Sequence, residues 1–131
     1  MKNFTVGVTG TQSGMNAEQA NAFEWHLKKL IADNYSVDLI QGEAKGVDTE
    51  AASIAKGLGI TVLTPDTQTG HFARNREIVD RCDLLVVIPW QDEWQSQGGT
   101  WYTHDYAKKK GAEVIMIWPS EEVNQLIGQG R

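Results

Sequence analysis

Leu84-Leu85-Val86-Val87-Ile88 runs through five apolar residues without a polar break. A strand of that kind is buried on both faces, which predicts a central parallel strand covered by helices. Outward from it, strand and helix patterns alternate. Upstream, Phe4–Thr9 reads as a first strand and Gly10-Thr11-Gln12-Ser13-Gly14 as a tight turn. Asn16 is a good N-cap, with Gln19 placed for a capping box. Ala20, Phe23, Leu27, Leu30 and Ile31 then recur at helical spacing until Asp33-Asn34. Val37–Ile40 is a second strand. Val47, Ala51, Ile54, Ala55 and Leu58 mark a second helix, and Ile60–Leu63 a third strand. The polar stretch from Thr64 to Phe72 leads into a short helix over about Arg74–Arg81. Downstream come a loop over Trp90–Gly99, a helix over Thr100–Lys110 and a fifth strand over Val114–Trp118. Glu121–Ile127 is expected to add a helical turn or two, with the tail Gly128–Arg131 frayed.

This order predicts right-handed crossovers and one three-layer α/β domain over residues 1–131, built on a mainly parallel sheet of about five strands. Ligands of such sheets sit beyond the carboxyl ends of the strands, at the switch point. Three loops fall there: Gly10–Gly14, Gly42–Gly46 and Trp90–Thr100. Each contains glycine.

Composition narrows the functions open to such a domain. Forty per cent hydrophobic and 22% charged residues are the balance of a soluble globular chain. No apolar run approaches a membrane span, so no membrane partner is expected. The start leads directly into a strand pattern, and no signal peptide is expected. Cys82 is the single cysteine, which excludes an internal disulfide. His26, His71 and His104 have no metal spacing, and neither a metal nor a cofactor is expected. A reducing cytoplasm is the simplest location. A formal charge of −5 argues against duplex DNA as a partner but leaves room for a local cationic pocket. Lys108-Lys109-Lys110 reads as a solvated helix end favoured by the dipole.

Glycines just before a helix let a phosphate approach backbone N–H groups at the positive end of the dipole. Gly98-Gly99-Thr100 fits this best, since Thr100 adds a hydroxyl. Gly42-Glu43-Ala44-Lys45-Gly46 before Val47 is a second candidate, and Gly10, Thr11 and Gln12 face the same edge. Tight strand-to-helix turns are the competing explanation for all of these glycines. Arg74-Asn75-Arg76 is a compact donor cluster suited to phosphate and sugar or base edges, with surface pairing to Glu77 or Asp80 the alternative for Arg76. Asp48 reads as a helix-start carboxylate favoured by the dipole. Glu43 is open to a ligand hydroxyl or an interloop contact. Trp90 and Trp94 flank the site loop and are placed to stack on a base or to pack the loop. Trp25 projects opposite its helix's apolar stripe, which suggests a subunit contact and a homodimer or higher homo-oligomer.

Four motifs stand in order: Gly42-Glu43-Ala44-Lys45-Gly46-Val47-Asp48; Phe72-x-Arg74-Asn75-Arg76-Glu77-Ile78; Asp83 with its strand; and Gly99-Thr100-x-x-Thr103-x-x-Tyr106-Ala107. Together they resemble the SLOG superfamily, which joins the DNA-processing protein A (Smf) family, the Lonely Guy phosphoribohydrolases and small YspA- and YpsA-like domains. The resemblance spans about Thr5 to Trp118. It implies a Rossmann-like fold that binds a nucleotide-type small molecule, with its phosphate near Arg74. In the Lonely Guy hydrolases a glutamate three residues after the Gly-Thr pair works in cleaving the N-glycosidic bond. Here that position is Thr103, as in Smf and the YspA-type domains, so no catalytic residue is assigned. The resemblance thus implies a binding module, a sensor or scavenger of a signalling nucleotide. Two alternatives stay open: a nucleoside 5′-monophosphate phosphoribohydrolase using Glu43 or Asp105, and a single-stranded DNA-binding helper of Smf type.

Overall fold

The apolar run at residues 84–88 becomes an inner strand in a computed structural model that describes residues 1–95 and 98–124. Its elements are β1 (Lys2–Gly10), α1 (Ala17–Ala32), β2 (Tyr35–Ile40), α2 (Val47–Gly57), β3 (Thr61–Leu63), α3 (His71–Arg81), β4 (Leu84–Ile88), α4 (Gly99–Lys110) and β5 (Val114–Met116). The strands lie in the order β3-β2-β1-β4-β5, and every neighbouring pair is parallel. From β1 the chain winds one way through β2 and β3, then crosses back and winds the other way through β4 and β5. The result is a Rossmann-like three-layer α/β fold.

The two faces of β4 explain why its sequence has no polar break. Side chains alternate across a strand. Val86 and Ile88 join Val6, Val8, Phe23, Leu27 and Ala51 under α1 and α2. Leu85 and Val87 join Ile78, Val79 and Ala107 under α3 and α4. Burying each such side chain contributes roughly 1.5–3 kcal/mol, so one short strand anchors both layers.

The capping box predicted at the start of α1 is present: Asn16 accepts from Gln19 N, and the Gln19 side chain accepts from Asn16 N. Gln19 does more than cap. Its buried Nε2 donates to Pro89 O at 3.0 Å and Ile117 O at 3.1 Å, tying α1 to the ends of β4 and β5. Trp25 is 57% exposed, on the side of α1 away from the buried Phe23 and Leu27.

Several boundaries differ from the sequence reading by one to three residues, and two of them have a clear physical reason. Helix α3 starts at His71, not near Arg74, because Gly70 breaks the chain there and Glu77 reaches back to the preceding loop. Its carboxylate accepts from the amides of Asp66 and Thr67 and from the Thr67 hydroxyl. These contacts, led by the Thr67 hydroxyl, pull the Glu77 carboxyl down to about 2. Strand β5 closes at Met116, short of Trp118. Ile117 N still donates to Val87 O at 2.9 Å, but Pro89 has no N–H with which to extend the ladder. The Asn124 side chain instead pairs with both backbone groups of Trp118. Residues 121–124 form a helical turn. Its expected continuation to Ile127 and the expected frayed tail at 128–131 lie outside the described residues. No described helix is long and apolar enough to cross a membrane.

Candidate functional site

Strand β1 pairs with β2 on one side and β4 on the other. Beyond Gly10 the chain departs to α1, and beyond Ile88 it departs towards α4 on the opposite face. Thr11 N donates to Ile88 O at 3.1 Å, the last tie before the two segments part. A cleft of about 540 Å³ opens at this switch point, where parallel sheets of this topology receive ligands. Ten of the sequence-predicted residues line it: Gly10, Thr11 and Gln12 after β1, Gly42 and Asp48 beyond β2, Arg74 and Asn75 on α3, and Gly98, Gly99 and Thr100 at the start of α4.

The other four lie outside that lining. Glu43 and Lys45 are exposed. Gly46 has φ +85°, and a Cβ there would stand 2.5 Å from the Gln12 carbonyl carbon. The glycine lets α2 start against the first loop, where Val47 N donates to Thr11 O at 3.1 Å. Thr103 is fully buried, and its hydroxyl donates to Gly99 O at 2.7 Å.

The two glycine loops differ in what they offer a ligand. In the loop over residues 42–46, Gly42 N and Ala44 N both donate to Asp48 Oδ2, at 3.2 and 3.3 Å, and Glu43 N donates to Gln41 Oε1. Those amides are spent on holding a carboxylate. At α4, Gly98 takes φ +105°, a backbone favourable only to glycine, and no side chain caps the helix. The first-turn amides of a helix have no intrahelical acceptors, so those of Gly99 and Thr100 stand at the cleft wall with the dipole behind them.

Arg74 and Asp48 are the charged side chains of the cleft among the described residues. Arg74 is half-buried, and its Nε is buried without a hydrogen-bond partner among the described residues. It makes no salt bridge among the described residues. Asp48 is only 8% exposed. Burial pushes its carboxyl up to about 6, against the opposing pull of the Ala44 and Gly42 amides and the Arg74 guanidinium. Asp48 therefore has a dual role that its position in the first turn did not reveal: it shapes the Gly42 loop and supplies the cleft's one titratable acid.

Arg76 turns away from the cleft, donating to the Tyr102 hydroxyl at 2.7 Å, while Glu77 pairs with Arg81 and Asp80 with Lys110. His71, Phe72 and Trp90 line the mouth, with Phe72 55% and Trp90 61% exposed. Trp94 is outside the lining and packs edge-on against Trp101, with ring centroids 6.1 Å apart. Phe72 was legible only as part of a motif; an apolar residue just after Gly70 and two before Arg74 was the available signal. Asp105 is also outside the cleft, bonded to His104 Nδ1 at 2.8 Å. Among the described residues no group of three or more His, Cys, Asp or Glu could hold a metal ion.

No protein-family model matches the chain, and no curated protein does. Among solved structures, the chain is similar to the molybdenum cofactor carrier protein of Chlamydomonas reinhardtii. That match has 19% identity and a TM-score of 0.62, over 95% of this chain and 83% of that one. A looser match is the predicted subunit of a tRNA methyltransferase from Methanocaldococcus jannaschii, at 13% identity and TM-score 0.45, covering 96% and 74%. The first likeness agrees with the Rossmann-like fold.

Proposed function

We propose that the switch-point cleft binds the phosphate of a nucleotide-type ligand, and that the chain is a binding module of SLOG type. The observation that carries this reading is Arg74, an arginine with a buried unpaired donor, in the same cleft as the uncapped start of α4. A buried N–H without an acceptor is costly, and a phosphate oxygen would supply the acceptor. The amides of Gly99 and Thr100 would share the load. Asn75 and the aromatic mouth at Phe72 and Trp90 suit the sugar and base. Denaturing the purified protein and identifying any released molecule by mass spectrometry tests this reading directly. A nucleotide panel in calorimetry tests it where nothing is released, and a panel with no binder overturns it.

Hydrolysis has less support. Thr103 replaces the glutamate of the Lonely Guy enzymes and is bonded within its helix, while Glu43 and Asp105 do not line the cleft. Asp48 is the one acid there, and its raised pKa is the kind that general acid–base chemistry uses. Incubation with purine and pyrimidine nucleoside monophosphates is expected to release no free base above background, measured by chromatography. Multiple turnover that Asp48→Asn abolishes would replace the binding reading with the hydrolytic one. The net charge of −5 gives no support to single-stranded DNA binding.

A second reading, cofactor carriage, draws on the fold shared with the molybdenum cofactor carrier over most of both chains. Molybdenum in the purified protein, measured by elemental analysis and displaced by no nucleotide, would favour it.

We also propose a homodimer through Trp25. The indole is 57% exposed and meets His26 edge-on at 5.0 Å. Two-fold self-association is the commonest way to cover such a surface. Sedimentation at micromolar concentration should give a dimer, and Trp25→Lys a monomer. A wild-type species of 14.5 kDa would remove the idea.

A further inference from the structure

A second cavity, of about 550 Å³, lies beside the cleft, walled by residues of α3 and α4. It shares Phe72, Gly98 and Gly99 with the first. Among the described residues no side chain parts the two at residues 98 and 99, and none stands within 4 Å of where a Cβ of Gly98 would be. A ligand seated against the start of α4 can therefore continue over this glycine saddle.

The far side of the saddle is built for a ring. Phe72 packs against Tyr102 with centroids 4.3 Å apart and an interplanar angle of 38°, yet Phe72 stays 55% exposed. Tyr102 is held in place by Arg76 Nη1 on its hydroxyl at 2.7 Å. The aromatic platform is thus fixed by neighbours and still open. Lys109 and Asp105 also line this cavity. Lys109 makes no ion pair among the described residues, so its ammonium is available to ligand acceptors; Asp105 holds His104 Nδ1 and Trp94 Nε1 through Oδ1, which leaves Oδ2 for a ligand donor. An aromatic face with one cation and one anion suits a heterocycle bearing both kinds of group.

From this continuity we infer that the second cavity is a subsite for the second nucleoside of a ligand made of two nucleosides joined through phosphate. The inference rests on the cleft's being the phosphate site. Each cavity is within the size range of ligand pockets, and the glycine saddle between them is where the bridging phosphate would meet the α4 amides. The stacking platform and Lys109 then act on the second unit alone.

The test compares adenosine monophosphate with diadenosine diphosphate, and guanosine monophosphate with diguanosine diphosphate, by calorimetry on the full chain. For at least one base the dinucleotide should bind about tenfold tighter than its mononucleotide, the order of one added stacked base. Tyr102→Ala and, separately, Lys109→Ala should erase that advantage and leave mononucleotide affinity unchanged. Lys109 is exposed, so its variant stays folded even where Tyr102→Ala does not, and Lys108→Ala controls for lost surface charge. Equal affinity for the two ligand sizes, or an advantage that survives both variants, overturns the inference while the phosphate reading stands. Binding by none of the four compounds overturns both.

Discussion

Arg74→Ala is expected to weaken binding of the nucleotide by ten- to more than a hundredfold while leaving the fold intact. A hydrogen bond to a charged group contributes about 1.5–3 kcal/mol, and each 1.4 kcal/mol is a factor of about ten in affinity. The guanidinium is the one arginine or lysine group lining the cleft among the described residues, so no neighbour compensates for its loss. Its removal also takes away a buried donor that has no hydrogen-bond partner among the described residues, so the folding penalty is limited to the lost attraction for Asp48. Arg74→Lys should recover only part of the affinity, because an ammonium cannot make the planar two-pronged contact. Calorimetry with the best binder of the nucleotide panel, run beside Lys108→Ala, measures this. A folded Arg74→Ala protein with wild-type affinity would place the phosphate elsewhere.

The fold was open to sequence reading because its strongest signal is unambiguous. Residues 84–88 have no polar member, and a run of strand length rich in β-branched residues fits a strand covered on both faces. The alternation of stripes around it predicted a parallel sheet with right-handed crossovers, while the strand order β3-β2-β1-β4-β5 depends on long-range pairing that no local pattern carries. The site was legible as far as it depends on backbone chemistry: glycines at strand ends and an arginine before the central strand lie together in one cleft. What escaped depends on chain segments meeting in space. Asp48 looked like a helix-start carboxylate, and nothing local says that it accepts from Gly42 and Ala44 and so spends the amides of the second glycine loop. Gln19 looked like half of a capping box, and its bonds to Pro89 and Ile117 cross 70 and 98 residues of sequence. Thr103 carried a motif match, yet its hydroxyl serves Gly99 in its own helix.

Asp48→Asn should stabilise the protein at neutral pH and flatten its pH dependence. The folded chain raises this carboxyl from 3.8 to about 6, chiefly by burial. Between those values the folded state holds a proton that the unfolded state has released, so stability falls as pH rises through the window. Above about pH 6 the group is ionised in both states, and its burial then costs the folded protein about 3 kcal/mol. An asparagine removes that charge while its amide oxygen can still accept from Gly42 N and Ala44 N. That cost is already net of the attraction of ionised Asp48 for Arg74 and for the two amides. Thermal unfolding, followed through the tryptophans, should therefore show Asp48→Asn melting several degrees above wild type at pH 7–8, at roughly 2–8 °C per kcal/mol for domains of this size range. The two curves should converge towards pH 4. A carboxylate kept in a cleft against its own folding cost is the pattern of a functional group, and the nucleotide panel with the same variant shows what it reads. If Asp48 accepts a sugar hydroxyl or ring N–H, wild-type affinity falls below pH 6 and Asp48→Asn loses that dependence. Parallel melting profiles for the two proteins from pH 4 to 8 would mean that burial does not govern this carboxyl and that the Gly42 loop is held by something else.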